Sequence, residues 1–204
     1  KRCQVWFDAS EKRTVTKSGI VRSSAELVEI AVHFIFPEDI ATGKVSYMIS
    51  ARGKITVETS ITPLKEKLPE MPRFGLNLQL SPQFKQVNWF GRGPWENYAD
   101  RKTASFVGLY RSTPDDLFTP YVRPQENGYR TDVRWVEFTD INGTGVRFTG
   151  LPVICFSALP YTYDDLKGFK QGGKHLADLE KKPFTDLNLD YGQTGVGGDD
   201  SWGA

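Results

Sequence analysis

The stretch VEIAVHFIF (residues 28–36) decides the fold because its hydrophobic residues recur with a period of two. Large apolar side chains occupy every second position, namely Val28, Ile30, Val32, Phe34 and Phe36. The positions between them carry Glu29, Ala31, His33 and Ile35. Because successive side chains of a strand point to opposite faces of a sheet, this alternation predicts a β-strand with one buried face.

The same period recurs along most of the chain. Residues 45–51 and 55–61 alternate in this way, and Arg52-Gly53-Lys54 between them predicts a hairpin turn. A second turn is predicted at INGTG (141–145). Further strands are predicted at 74–80, 86–90, 131–139, 146–149, 154–158 and 187–191, and one short helix at HLADLEKK (175–182). Many short strands with few helices predict an all-β fold of antiparallel sheets packed face to face, in one domain spanning residues 1–204.

Charge and cysteine content exclude several classes of function. The 26 basic and 25 acidic residues nearly cancel, so no summed field attracts nucleic acid or an anionic membrane surface. No stretch approaches the roughly 20 apolar residues that cross a bilayer, and the opening KRCQVWF has neither the apolar core nor the cleavage site of a signal peptide. Cys3 and Cys155 are isolated thiols, which argues against a zinc site and a disulfide framework. The composition favours a neutral ligand.

Two long connections interrupt the strands, and long loops on an all-β scaffold commonly carry binding residues. The first is GRGPWENYADRKTAS (91–105). The second is TPYVRPQENGYR (119–130), in which two prolines restrict the path and Asn127-Gly128 predicts a tight turn.

Four motifs in this order resemble a known family. They are MPRFGLNLQL (71–80), VNWFGRGPWENYADR (87–101), TPYVRPQENG (119–128) and GGDDSW (197–202). This sequence is similar to the C-terminal, small-chain domain of the large bacterial β-galactosidases of glycoside hydrolase family 2. The resemblance runs from about residue 71 to residue 202, whereas the first seventy residues match only in strand character. It implies an antiparallel supersandwich similar in fold to the galactose mutarotases, which we expect to be incomplete at both ends.

The resemblance also implies that the chain is a piece of a larger enzyme that hydrolyses galactosides. Retaining glycosidases need two carboxylates about 5 Å apart. In the family both come from a separate barrel domain, so we expect no catalytic residue, cofactor or metal in this chain, and Mg and Na only in the barrel of the parent. The expected partners are a galactoside, the other domains and further copies of the parent. The location stays open between cytoplasm and periplasm of a bacterium.

The GGDDSW motif supplies the principal site prediction. A galactosyl ring has an apolar face and a rim of hydroxyls, and an aromatic plane beside fixed polar groups suits both. Trp202 matches the family tryptophan that reaches into the active site and forms part of the platform for substrate. Asp199 and Asp200 are candidate sugar contacts, but we favour for each of them the role of accepting hydrogen bonds from amides of the glycine-rich turn.

The remaining polar residues of the motifs favour structural roles. Trp95, Glu96, Asn97, Tyr98, Asp100 and Arg101 resemble a sugar site in isolation. Such a dense motif also suits an Arg–carboxylate and amide network that fixes a long loop, which we favour. A similar tie between loop and sheet is predicted for Glu126, Asn127 and Arg130. His33 and His175 are predicted to be surface or capping residues.

Two other functions remain open at this stage. A mutarotase-like epimerase would use a histidine acid and a glutamate base, for which His175 and Glu126 are the candidates. A carbohydrate-binding or interface module would contribute nothing to turnover. Fold alone does not decide among these functions.

Overall fold

The opening stretch lies in a four-stranded antiparallel sheet of the computed structural model, which describes residues 3–7, 9–166 and 175–194. The chain divides into two compact units, Lys1–Met71 and Pro72–Ala204. Each unit has its own sheet. The prediction of a single domain over residues 1–204 stays a prediction.

The first unit is built on β1 (Thr14–Ser23), β2 (Leu27–Ile35), β3 (Ala41–Ser50) and β4 (Ile55–Pro63), in the order β1-β2-β3-β4. The 3₁₀ turns of this unit are Gln4–Trp6 and Pro37–Asp39. The predicted hairpin turn joins β3 to β4, where Gly53 has a positive φ of 80°. Phe34 and Phe36 of the alternating apolar set are buried, and the other members of the set are half-buried. The small Ala31 is buried on the opposite face, so burial is not confined to the predicted face.

The second unit contains six strands in the order β5-β10-β9-β8-β6-β7. Their bounds are β5 Arg73–Leu80, β6 Gln86–Gly93, β7 Phe106–Ser112, β8 Arg130–Thr139, β9 Gly145–Leu159 and β10 Thr185–Gln193. Two four-residue helices, α1 (Pro114–Leu117) and α2 (Tyr163–Leu166), and a 3₁₀ turn at Leu176–Asp178 complete it. The helix predicted at 175–182 is thus only one 3₁₀ turn. No helix in the described ranges has the length and apolar character needed to cross a bilayer.

The core of the second unit lies on one face of the six-stranded sheet. Trp89, Phe138 and Phe156 are fully buried and pack edge to face across β6, β8 and β9. The Trp89 indole N–H donates to the carbonyl of Arg92 at 2.9 Å, so this large ring is buried without an unpaired donor. Strand pairing is antiparallel throughout the described residues of both sheets. The predicted all-β antiparallel class is confirmed, and the likeness to galactose mutarotases stays a prediction.

Candidate functional site

The principal predicted residues, Trp202, Asp199 and Asp200, lie outside the described residues. The last residue described before them is Thr194, directly after β10. Its backbone N–H donates to the carbonyl of Pro72 at 2.8 Å, which continues the pairing of β10 with β5. The surroundings of this strand end and the two long connections make up the candidate site.

Glu96 links the two long connections. Its Oε1 accepts hydrogen bonds from the Tyr121 hydroxyl and, at 3.0 Å, from the Arg101 guanidinium. Its Oε2 accepts from the backbone N–H of Gly128 at 2.7 Å and the Thr119 hydroxyl at 3.2 Å. The side chain is only 8% exposed. Four donors therefore saturate a nearly buried carboxylate, which binds loop to loop and has no lone pair directed at a ligand.

Asn97 and Arg130 attach the same loops to the sheet. The fully buried Asn97 donates to the carbonyl of Trp95 at 3.0 Å and accepts from the N–H and the hydroxyl of Thr131 at 3.0 and 2.7 Å. The buried Arg130 guanidinium donates to the carbonyls of Pro94, Leu117 and Gly128, at distances of 3.0, 3.2 and 2.7 Å. Burial lowers the pKa of Arg130 to about 10. The interpretation of these motif residues as a structural network is confirmed.

Three further residues of the first connection have different surroundings. Tyr98 is buried and stacks on Tyr129 with ring centroids 5.3 Å apart. The Arg101 guanidinium lies over the Tyr98 ring, 4.7 Å from its centroid. Asp100 is exposed. Trp95 is also exposed, with 75% of its surface in solvent. The structure thus uses most of this set internally and leaves the indole outside.

A polar stripe follows β10 on the face opposite the core. Asp186, Asn188 and Asp190 alternate along this strand with the buried Leu187 and Leu189. The Asn77 amide on β5 donates to both oxygens of Asp186 at 3.2 Å and to Asn188 at 3.0 Å. Asp186 and Asp190 are nevertheless buried, so both faces of β10 are covered and one of them is polar.

Arg73 joins this stripe to the second connection. Its guanidinium contacts the Asp190 carboxylate at 2.7 Å and the Glu126 carboxylate at 3.4 Å. Burial disfavours the charge of Arg73, but Asp190 and Glu126 outweigh this effect and raise its pKa above the ordinary value. Burial raises the pKa of Glu126, which Arg73 opposes. Gly75 makes room for this arrangement, because a Cβ there would lie 2.1 Å from an oxygen of Asp190.

The space beside this cluster is small. A cavity of about 20 Å³ lies between Arg73, Glu126, Asn188, Ser157 and Tyr163. One water molecule needs about 10–15 Å³, and small-molecule sites usually enclose about 300 Å³ or more. The cavity has room for a water but not for a hexose. Within the described ranges no group of three or more His, Cys, Asp or Glu side chains is placed to hold a metal ion.

Neither histidine is paired for acid–base chemistry in the part of the chain that the structure describes. His175 is exposed at the N-cap of the 3₁₀ turn, where its backbone N–H donates to the Asp178 carboxylate at 2.7 Å. Glu126 instead faces Arg73. His33 is half-buried and lines a groove of about 340 Å³ on the first sheet, with Lys44 and Ser60. The surface position predicted for His175 is confirmed, and the pair proposed for an epimerase is not formed.

Three of the quoted motifs meet in these contacts, although they are far apart in sequence. Arg73 of 71–80 contacts Glu126 of 119–128, and Glu96 of 87–101 contacts Gly128 of 119–128. A family model described as the β-galactosidase small chain matches residues 1–204. The chain belongs to the β-galactosidase small-chain family.

Individual members of the small-chain family have similar sequences. A β-galactosidase of Priestia megaterium is 37% identical over 204 residues, which are 100% of this chain and 19% of the relative. A β-galactosidase of Halalkalibacterium halodurans is 32% identical, covering 98% of this chain and 20% of the relative. One of Lactobacillus delbrueckii subsp. bulgaricus is 38% identical over 160 residues, 78% of this chain and 15% of the relative. The chain therefore spans about a fifth or less of the length of these curated relatives.

The polar stripe of this small-chain sequence was not predicted from the sequence, since Arg73, Asp186, Asn188 and Asp190 are absent from the predicted site residues. Alternation of leucine with acidic residues in TDLNLD (185–190) is also typical of a strand with one face in water. The available signal was an arginine in MPRFG (71–75) that needs a carboxylate partner if it is buried, but no local pattern identifies that partner.

Proposed function

We propose that the parent of this chain is a β-galactosidase that hydrolyses terminal β-D-galactosides such as lactose, and that this chain completes its substrate site. The match of the small-chain family model to all 204 residues carries the proposal. Relatives that contain the matching sequence as a minor part are named β-galactosidases. We assign the parent to the retaining glycosidases of family 2, because the four motifs resemble that family.

The catalytic carboxylates are proposed to lie in another domain. A retaining glycosidase needs one carboxyl group that donates a proton and one that attacks as an anion. Glu96 is occupied by four hydrogen-bond donors, and Asp190 by an arginine. Both carboxylates are therefore directed at partners inside the chain rather than at a substrate. This supports a parent in which a barrel domain supplies both carboxyl groups. In this proposal the barrel also holds Mg and Na, and the isolated chain has no hydrolytic activity.

Trp202 is proposed as the contribution of this chain to substrate binding. The strand that precedes its motif remains paired up to Thr194, beside Arg73 and Pro72. A segment that starts from a fixed strand end is suited to present a side chain at a defined place. In this proposal the indole of Trp202 packs on the apolar face of the galactosyl ring. Asp199 and Asp200 hold either its hydroxyls or the amides of their own turn.

The test is steady-state kinetics of Trp202→Ala in the parent enzyme, with Trp202→Phe as the matched variant that keeps an aromatic plane. Loss of one stacked sugar face, about 1–3 kcal/mol, predicts a fall in kcat/KM for lactose of roughly 5- to 150-fold. A thermal melt should show no change in the fold. Unchanged kcat/KM with a lower melting temperature would make Trp202 a packing residue and refute the assignment.

The other two functions are separated by simple measurements. A carbohydrate-binding module without a role in turnover predicts that Trp202→Ala abolishes sugar binding by the chain but leaves the kinetics of the parent unchanged. An epimerase predicts that the chain accelerates the change in optical rotation of α-galactose. We expect neither result.

A further inference from the structure

The tips of the two long connections expose an apolar surface that the internal network does not use. This surface, the double-loop tip, consists of Pro94, Trp95, Pro120 and Val122, all exposed. Trp95 and Val122 have 75% and 78% of their surface in solvent. The two halves are held together at Glu96, because Glu96 follows Trp95 and binds the hydroxyls of Thr119 and Tyr121 beside Pro120 and Val122.

The Trp95 indole is held outward by a rigid backbone. The carbonyl of Pro94 accepts from Arg130, the carbonyl of Trp95 accepts from Asn97, and the next two side chains are fixed by the network. The indole itself has no hydrogen bond or ring contact with another described residue. A flexible loop would let such a ring fold back onto the protein, whereas this loop cannot. Persistent exposure of the largest apolar side chain is typical of a contact surface.

The chemistry of the double-loop tip favours a protein partner over a sugar. A sugar site needs free polar groups that converge beside the aromatic plane. Here the neighbouring Glu96 and Asn97 are saturated by internal bonds. The surface itself is instead aliphatic and aromatic, and the exposed charged residues Asp100, Arg101 and Arg123 follow in the same two connections. An apolar centre with a charged rim is the usual composition of a protein–protein contact.

We propose that the double-loop tip docks on another domain of the same polypeptide, with Trp95 as the central anchor. The occupant follows from length, because the matched relatives carry this sequence as about a fifth of one chain. A domain of this kind must contact other domains in the remaining four-fifths of the polypeptide. An exposed indole on a rigid loop is suited to anchor such a contact. The proposal does not depend on the activity of the parent or on Trp202.

Hydroxyl-radical footprinting of the unmodified parent tests the proposal directly, with oxidation of each tryptophan quantified by peptide mass spectrometry. Trp89, which is 1% exposed, gives the rate of a buried indole in the same protein, and the unfolded parent gives the rate of a free one. We expect Trp95 to oxidise roughly tenfold or more slowly than in the unfolded parent, because a packed interface core excludes solvent like a protein interior. Oxidation of Trp95 at the unfolded rate would overturn the proposal.

The other occupants give different results. Protection of Trp95 that disappears on dilution to single polypeptides would mean that a second copy of the parent covers this surface. Protection that appears only with added lactose would mean that the surface is a sugar site. Either result overturns the proposed occupant. As a second measurement, Trp95→Ala should lower the urea midpoint of the parent. Ile141→Ala, at a turn residue that is 89% exposed, should leave the midpoint unchanged. Equal midpoints for both variants would contradict an anchoring role.

Discussion

Replacement of Glu96 by glutamine tests whether one carboxylate holds the two long connections together. Glutamine has the same shape but only one acceptor oxygen, so its NH₂ group faces two of the four donors that Glu96 now satisfies. The amide oxygen is expected to stay with the Gly128 N–H, which has no alternative partner. Thr119 then keeps its bond to the same oxygen, and the Tyr121 hydroxyl is able to rotate and accept from the NH₂ group, whereas the Arg101 guanidinium is not.

The magnitude follows from this count. A hydrogen bond to a charged group contributes about 1.5–3 kcal/mol and a neutral one about 0.5–1.5 kcal/mol, so the Arg101 bond is lost and the other three bonds are weakened. Arg101 is 36% exposed, so water recovers much of its share. We therefore expect Glu96→Gln to lower the free energy of unfolding by about 2–4 kcal/mol. The matched control is Glu137→Gln, whose ion pair with the 57% exposed Arg147 predicts a loss of only about 0–1 kcal/mol.

Urea denaturation and hydrogen exchange measure this difference. The midpoint should fall clearly for Glu96→Gln and little for Glu137→Gln, at an unchanged denaturant dependence. Peptides that contain Gly128 should exchange roughly 30- to 1,000-fold faster in Glu96→Gln if local opening carries the loss, since 1.4 kcal/mol is a factor of ten. Equal midpoints for the two variants, with unchanged exchange at Gly128, would refute the view that this carboxylate joins the loops.

Three other predictions concern backbone geometry and titration. Gly128→Ala should lower the melting temperature clearly more than Gly53→Ala. Both glycines have positive φ, but only at position 128 would a Cβ meet a carbonyl oxygen, 2.8 Å away. Burial raises the folded pKa of Glu126. The stability of the wild type relative to Glu126→Gln should therefore fall as the pH rises from the ordinary pKa of 4.5 through the folded pKa, and a constant difference across pH would contradict this. Asp132 behaves in the opposite way: burial alone would raise its pKa, but hydrogen bonds from Arg92 and Lys102 lower it. The free energy of unfolding of the wild type should exceed that of Asp132→Asn by about 1 kcal/mol at pH values above the ordinary pKa of 3.8. This difference should disappear as the pH falls through the folded pKa.

Strands with a regular apolar period could be predicted, and those without it could not. The strand at 28–36 and the hairpin after it have strong alternation and appear as β2, β3 and β4. β1 is an edge strand with ten exposed residues, so no buried face imposes a pattern on TVTKSGIVRS. β7 is also an edge strand, and its FVGLYRS exposes Phe106 and Leu109. Gly150 and Pro152 suggested a break at 150–153, yet β9 runs through both residues.

Local contacts of the site could be predicted better than distant ones. Glu96, Asn97 and Arg101 lie in one dense segment, which made a loop-fixing network the favoured interpretation. The ion pair of Arg73 with Asp190 joins residues 117 positions apart and depends on the pairing of β5 with β10. No local pattern specifies that pairing. The exposure of Trp95 is equally a tertiary property, because it follows from the bonds of its neighbours.

The residues by which the motifs identify the family are mainly those that build the loops. Glu96 accepts three hydrogen bonds from the second connection and one from the first. Asn97 fixes the path of the first connection, and Arg73 holds Glu126 against β10. A buried carboxylate or amide has few tolerated replacements, because any substitution leaves several partners unpaired at once. Motif specificity in this chain therefore reflects demanding backbone geometry. The chemistry proposed for the parent depends instead on what this scaffold presents outward, which explains why dense polar motifs surround a cavity with room for only one water.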